Sequence, residues 1–381
     1  MWIGWAPPRR GRHRATAGYV CAAYLMLMGL VSCASAPPRS TSGLPATALS
    51  VVGAPQIVDD RAGFRELFCQ TLYRSKKGGS NGCDSYLWRL SDEPGIEPDR
   101  ARVRGAADGD EDRGRARVLI FGGAFGDCFP PWTIPFTGAT AAAEAAGFQI
   151  EIVPLSGRSS SERNASAVRE KVLAARTGEN EPLILIGYSK GAVDILQALV
   201  RYPDVAARVA AVISIAGSIN GSPLAAHYRR LYDALFRDRK VGSCAPGDDG
   251  VLESLERPVR LDWLSRNPLP RNVRYYSIVT FAFPPRVARI LVHMQHLLAK
   301  VSQRNDGQML AEDQLIPGSA LLGFVNADHW SVALEMEDRF PRLAHRAVGK
   351  HPFPQSVLLE STLRFVRADL RDGAQAGRPA S

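Results

Sequence analysis

A serine between two glycines is the residue of this chain best suited to act as a nucleophile. The pentapeptide Gly-Tyr-Ser-Lys-Gly at 187–191 follows the apolar run 183–186 and precedes a helical stretch, 192–202. A sharp turn from strand to helix lifts the serine hydroxyl clear of its neighbours, and the glycines avoid collisions with the adjoining elements. Because serine is a weak nucleophile near neutral pH, Ser189 needs an imidazole base and a carboxylate that orients this base.

Three other segments carry suitable groups. The run 121–126, Phe-Gly-Gly-Ala-Phe-Gly, offers free backbone N–H groups, 305–308 is Asn-Asp-Gly-Gln, and 326–330 is Asn-Ala-Asp-His-Trp. The glycine run lacks both the Gly-Lys-Ser/Thr ending of a Walker loop and the Gly-x-Gly-x-x-Gly spacing of dinucleotide-binding folds. We therefore expect no nucleotide to bind here. The sequence also predicts no other cofactor and no metal.

The elements that must position these groups alternate between apolar runs and helical stretches from residue 118 onward, which predicts an α/β fold with a mostly parallel sheet. The predicted strands are 118–121, 148–153, 183–186, 211–215, 273–279 and 322–325, and the predicted helices are 139–146, 161–175, 192–202, 286–301 and 355–370. Residues 222–270 are too long for an ordinary connection and are interpreted as an inserted cap or lid over the site.

In their order and context, the glycine run, the serine turn, Asn-Asp-Gly and Asp-His make residues 118–370 resemble an α/β-hydrolase of the lipase/esterase kind. The segment 216–225, with Gly-Ser-Pro at 221–223, is similar to the start of the lid in many lipases. The chain departs from that pattern in two respects: the glycine run lacks a His-Gly pair, and Lys190 is unusual beside the nucleophile.

The resemblance implies the chain order serine, acid, histidine, with the histidine after the last strand. His329 has that position. The remaining histidines lie in the first segment, in the cap, on the helix predicted at 286–301 or beyond the last strand, namely His13, His227, His293, His296, His345 and His351.

Asp306 is the acid favoured by its turn sequence, Asn-Asp-Gly, which would present a side chain at the edge of the sheet. Glu312 and Asp313 lie on the same loop and remain alternatives. Asp328 adjoins the histidine and is expected to contact backbone groups instead.

The resemblance further implies an oxyanion hole formed by the backbone N–H groups of Ala124 and Lys190, with Gly123 and Phe125 as alternatives to Ala124. It predicts a serine hydrolase that cleaves carboxylic esters, small or lipid, through an acyl-enzyme on Ser189. An acyltransferase with the same nucleophile and a catalytically silent envelope scaffold remain alternatives.

The first 33 residues have the pattern of a targeting segment, with an arginine cluster, an apolar stretch and small residues. Leu-Val-Ser-Cys at 30–33 resembles the bacterial lipoprotein signal, which implies that Cys33 is lipidated and anchors the protein to a membrane facing the periplasm. A soluble secreted form and an uncleaved anchor are the alternatives. A flexible tether at 34–55, an N-terminal extension at 56–116 and a hydrolase domain at 117–372 are expected to follow.

Four further cysteines would lie in an oxidising compartment, where disulfides form. Of the three pairings, we favour Cys69 with Cys83, which closes a short glycine-rich loop, and Cys128 with Cys244, which ties the loop after one strand to the cap. A metal site is the weaker interpretation, because Cys-x-x-Cys and paired-histidine spacings are absent.

The composition agrees with one large catalytic domain. Of the 381 residues, 45% are hydrophobic and 22% charged, which is ordinary for a globular protein. The net charge of +9 includes four arginines of the first segment, Arg9, Arg10, Arg12 and Arg14. Because basic stripes interleaved with aromatic residues are absent, nucleic acid is not an expected partner.

Overall fold

The computed structural model describes residues 57–75, 82–93, 115–244, 246–335 and 353–376. The expected signal segment, the lipidation site Cys33, the tether, His345 and His351 lie outside these ranges. Among the helices within them, none is both long and apolar enough to cross a membrane.

An eight-stranded, mostly parallel sheet forms the centre of the protein. In chain order its strands are β1 (Val58–Asp59), β2 (Leu87–Trp88), β3 (Ala116–Phe121), β4 (Phe148–Val153), β5 (Leu183–Tyr188), β6 (Ala211–Ile215), β7 (Arg274–Thr280) and β8 (Ala320–Val325). The spatial order is β1-β8-β7-β6-β5-β3-β4, and β2 alone runs antiparallel, paired with β8. This arrangement confirms the predicted α/β class.

Helices cover both faces of the sheet. They are α1 (Arg61–Ser75), α2 (Thr140–Ala145), α3 (Ser161–Ala174), α4 (Lys190–Arg201), α5 (Pro203–Arg208), α6 (Pro223–Phe236), α7 (Arg257–Arg266), α8 (Val292–Leu298) and α9 (Gln355–Ala376). Side chains alternate along β3, so Val118 and Ile120 pack in one core layer while Leu119 and Phe121 pack in the other. Both faces of the central strands are therefore buried, as parallel sheets require.

Residues 57–75 and 82–93 extend and pack against the same sheet. β1 pairs in parallel with the start of β8, β2 pairs with its end, and α1 packs against α9. A disulfide between Cys69 and Cys83 joins α1 to the turn before β2. The sequence indicated no strands here, because two-residue strands are too short to show alternation.

Residues 222–270 contain α6, a 3-10 turn (Glu253–Leu255) and α7. The disulfide between Cys128 and Cys244 joins this segment, hereafter the cap, to the loop after the glycine run. Both disulfides have the pairing that the sequence favoured.

The helix predicted at 286–301 is wrong in extent, since only Val292–Leu298 is α-helical. The N–H of Ala288 donates to Asp328 Oδ2 at 2.6 Å, and Leu291 bonds to the carbonyl of Ala288, three residues back. Residues 286–291 therefore form turns instead of the first helical turns.

Candidate active site

Ser189 lies at a strained turn between β5 and α4. Its φ of 55° and ψ of −124° fall in a region that non-glycine residues rarely adopt, as expected at a nucleophile elbow. The flanking glycines are required by close packing: a Cβ on Gly187 would lie 2.3 Å from Ala192 Cα, and one on Gly191 would lie 2.3 Å from the carbonyl oxygen of Phe121. The turn thus holds the hydroxyl at the carboxyl edge of the sheet.

His329 connects Ser189 to Asp306. Its Nε2 lies 2.9 Å from Ser189 Oγ, and its Nδ1 lies 2.7 Å from Asp306 Oδ2. An ionised carboxylate only accepts hydrogen bonds, so Nδ1 carries the proton and Nε2 is left to accept from the serine hydroxyl. The three side chains are almost fully buried. This arrangement can transfer the serine proton to the imidazole.

Several donors orient the Asp306 carboxylate. The backbone N–H groups of Gln308 and Met309 donate to Oδ1 at 2.9 and 2.7 Å. The Thr280 hydroxyl, at the end of β7, donates to Oδ2 at 2.7 Å, and Gln314 Nε2 donates weakly to it at 3.4 Å. Sequence reasoning missed Thr280 and Gln314, which reach the acid only through the fold.

The alternative acids have other partners. Asp313 pairs with Arg257 of α7, its Oδ1 lying 3.0 Å from Nε, and burial raises the pKa of Asp313 to about 6. Asp328 accepts from the backbone N–H groups of Trp330 (3.0 Å) and Ser331 (2.8 Å), so it caps the turn that follows, and burial raises its pKa. Glu312 is exposed.

The glycine run lies directly beside the nucleophile. A Cβ on Gly123 would lie 2.9 Å from Ser189 Cβ and 3.2 Å from its Oγ. The N–H of Phe125 donates to the carbonyl of Gly157 at 2.9 Å, so it is occupied. Within residues 115–244, the backbone N–H groups of Ala124 and Lys190 have no protein acceptor.

Tyr188 is a further contact of the histidine that sequence reasoning missed. Its hydroxyl donates to the His329 carbonyl at 2.6 Å, and the two rings lie 5.3 Å apart. Burial raises the pKa of Tyr188, so the phenol is neutral and remains a donor. The only signal in the sequence was its place directly before Ser189.

The cap packs on both sides of the site through α6. Ala225 and Tyr232 lie in one apolar cluster with Ala124 and Phe125 of the glycine run. On the histidine side, a second cluster contains Leu224, with Tyr228 and Trp330 packed against it. Of the remaining histidines in the described ranges, His227 and His296 are exposed and His293 is half-buried.

Comparisons with known proteins found similar solved structures. Neither a protein-family model nor a curated protein matches the chain significantly. The crystal structure of the metagenomic carboxyl esterase MGS0156 is 34% identical, with a TM-score of 0.73 over 87% of this chain and 97% of that one. Mature Bacillus licheniformis lipase BlEst2 is 17% identical over 58% of this chain and 88% of its own (TM-score 0.46). Lipase 1 from Pelosinus fermentans is 11% identical over 66% and 99% (TM-score 0.43).

The fold and the buried serine, histidine and aspartate define an α/β-hydrolase of the lipase/esterase kind. At the identity and coverage shared with the metagenomic enzyme, the chain belongs to the carboxyl esterase family. It is a carboxylic ester hydrolase.

Proposed function

We propose that the protein cleaves carboxylic esters through an acyl-enzyme on Ser189, with His329 as base and then acid, and Asp306 as the orienting carboxylate. The observation that carries the proposal is the imidazole within hydrogen-bond distance of both partners, at 2.9 and 2.7 Å. That geometry is the template of nucleophilic catalysis by serine.

In the first half-reaction, His329 Nε2 accepts the Ser189 proton while Oγ bonds to the acyl carbon. The carbonyl oxygen becomes an oxyanion, which the N–H groups of Ala124 and Lys190 would stabilise. The imidazolium, oriented by Asp306, then gives its proton to the leaving alkoxide as the carbon–oxygen bond of the ester breaks. An alcohol leaves and the acyl group stays on Ser189.

In the second half-reaction, water replaces the alcohol. His329 takes one proton from water as the water oxygen attacks the acyl carbon. His329 then gives that proton to Ser189 Oγ as the bond between Oγ and the acyl carbon breaks. A carboxylic acid leaves and the hydroxyl is regenerated. The overall reaction consumes one ester and one water molecule.

For the substrate, we propose a small ester with an apolar portion. The support is the partly buried aromatic surface of Tyr228 and Trp330, packed with Leu224 beside His329. Apolar walls with few polar groups are typical of small-molecule sites.

The test is steady-state and burst kinetics with p-nitrophenyl esters of two to eight carbons. We expect hydrolysis by the native protein, a burst of nitrophenol that reports the acyl-enzyme, and loss of both in Ser189→Ala. Product analysis with added alcohol separates hydrolysis from acyl transfer, since a transferase would form mainly the new ester. A folded native protein without turnover on any ester would contradict the proposal and favour a silent scaffold.

We further propose that the protein is a lipid-anchored envelope protein that carries its lipid on Cys33. The support is the sequence at 30–33 and the two disulfides, which suit an oxidising compartment. Metabolic labelling with a palmitate analogue in a bacterial host should mark the native protein but not Cys33→Ala. Equal labelling of both would contradict the anchor.

A further inference from the structure

Lys190, next to the nucleophile, has a buried side chain. Its Nζ lies 2.6 Å from Asp194 Oδ1, one turn later on α4, and both side chains are 2% exposed or less. Burial lowers the pKa of Lys190, and the Asp194 carboxylate opposes that shift. Because two charges are removed from water here, the desolvation cost offsets much of their attraction, and the pair is not explained by stability alone.

Asp194 is connected in turn to the loop between β4 and α3, residues 154–160. Asn164 of α3 donates from Nδ2 to Asp194 Oδ2 at 2.8 Å and to the Ser156 carbonyl at 3.0 Å. Asn164 is itself buried. A continuous polar network therefore runs from Lys190 through Asp194 and Asn164 to this loop.

The same loop holds the glycine run in place. The Gly157 carbonyl accepts from the N–H of Phe125 at 2.9 Å, and the N–H of Gly157 donates to Asp127 Oδ1 at 2.8 Å. The two backbones touch so closely that a Cβ on Gly157 would lie 2.6 Å from Phe125 Cα. Phe125 adjoins Ala124, so the loop fixes the segment that carries this N–H group.

We propose that Lys190, Asp194 and Asn164 are positioning residues that set the spacing between the oxyanion donors of Ala124 and Lys190. The inference rests on the proposed function. The two donors belong to different elements, the loop after β3 and the first turn of α4, yet both must approach one oxygen at about 2.7–3.1 Å. The network joins the Lys190 side chain to the loop that holds Phe125, and so connects the two donors.

The first variant is Lys190→Met, which keeps an unbranched chain about as long as the aliphatic part of lysine and keeps the backbone N–H, but removes the ammonium group. On a p-nitrophenyl ester we expect kcat to fall about tenfold, since a donor that is misplaced but present costs less than one that is lost. KM should stay within about twofold, because the donors act mainly in the transition state.

A thionoester of the same acid separates positioning of the donors from general loosening of the site. Its thiocarbonyl sulfur accepts hydrogen bonds poorly, so the reaction gains little from oxyanion donors. We expect Lys190→Met to change the thionoester rate by less than about twofold while the oxygen ester slows about tenfold. Equal slowing of both substrates, or slowing of neither, would overturn the inference.

Removal of one member of a buried ion pair can prevent folding, so the second variant is Lys190→Met/Asp194→Leu, which replaces the pair by apolar groups. It should show the same selective loss on the oxygen ester, and native rates on both esters would overturn the inference. The matched control is Glu162→Gln, which breaks the exposed Arg201–Glu162 pair between the same two helices and should leave both rates unchanged. Absence of turnover of both esters by the native protein would instead overturn the proposed function, and this inference with it.

Discussion

Two regions differ in how they are attached to the sheet. One is the pair of loops that carry Asp306 and His329, and the other is the cap. Asp306 accepts hydrogen bonds from backbone N–H groups of its own loop and from Thr280 at the end of β7. The backbone N–H of His329 donates to the Asp306 carbonyl at 2.9 Å, which joins the histidine loop to the acid loop. The catalytic groups are thus held by short, buried hydrogen bonds.

The cap is attached by charges and a covalent bond across long sequence separations. Arg158, which is fully buried, donates to the Tyr232 hydroxyl at 2.9 Å and to the Phe236 carbonyl at 2.6 Å, and it pairs with Asp249. The disulfide between Cys128 and Cys244 adds a covalent connection. The catalytic groups and the cap over them therefore depend on different interactions.

The largest expected effect is on activity and separates two aspartates of one loop, one that contacts the histidine and one that pairs with the cap. Asp306→Asn should lower kcat by about 10³- to 10⁴-fold, because an amide would favour the wrong histidine tautomer. Asp313→Asn, whose carboxylate faces the cap, should change kcat by less than about threefold. Rates on a p-nitrophenyl ester measure both. A larger loss of kcat in Asp313→Asn than in Asp306→Asn would mean that Asp313, and not Asp306, orients the histidine.

These two aspartates also show how far the sequence could predict the site. The elbow was visible because an apolar run, two glycines and a helical stretch surround Ser189, and His329 was singled out by its place after the last strand. The Asn-Asp-Gly turn favoured Asp306, but Glu312 and Asp313 stayed open as alternatives, because they lie on the same loop. The distinction depends on Thr280 and on Arg257, which reach the loop from a strand and from the cap only after folding.

The six strands β3 to β8 were predicted to within two residues at each end, because continuous apolar runs are a strong signal in buried strands. The two short N-terminal strands were missed, since their pairing with β8 is a long-range contact with no local pattern. The network around Lys190 was also missed. The sequence marked Lys190 only as unusual, and Asn164, which donates to its partner Asp194, lies on another helix.

The largest effect on stability should come from Arg158, the buried cation of loop 154–160 that binds the cap. Arg158→Met leaves the buried Asp249 carboxylate without its cationic partner and should lower the free energy of unfolding by about 3–5 kcal/mol. The control is Arg169→Met, which removes an exposed pair with Asp204 and should cost less than about 1 kcal/mol. Urea unfolding measures both, and equal costs would contradict the role given to burial.

Removal of the disulfide to the cap should have a comparable or smaller effect. Cys128→Ala/Cys244→Ala opens a loop with a sequence separation of 116 residues and should cost about 2–5 kcal/mol. Cys69→Ala/Cys83→Ala opens a separation of 14 residues and should cost less in the chain-entropy account. Thermal unfolding of both double variants checks the order, and the reverse order would contradict it.

The smallest effect concerns pH. The pKa of Asp313 is raised from 3.8 to about 6, chiefly by burial, so its contribution to stability is full below 3.8 and is lost as the pH rises through about 6. The free energy of unfolding of the native protein, relative to Asp313→Asn, should therefore fall by about 1–3 kcal/mol from pH 4 to pH 7. A difference that does not change with pH would contradict this.

The measurement that tests the central claim most directly is mass spectrometry after treatment with a fluorophosphonate, which reacts with an activated serine. We predict one adduct per chain on the peptide that contains Ser189, and no adduct in Ser189→Ala or His329→Ala. A folded native protein that remains unlabelled, or one labelled equally in the His329→Ala variant, would contradict activation of this serine by this histidine.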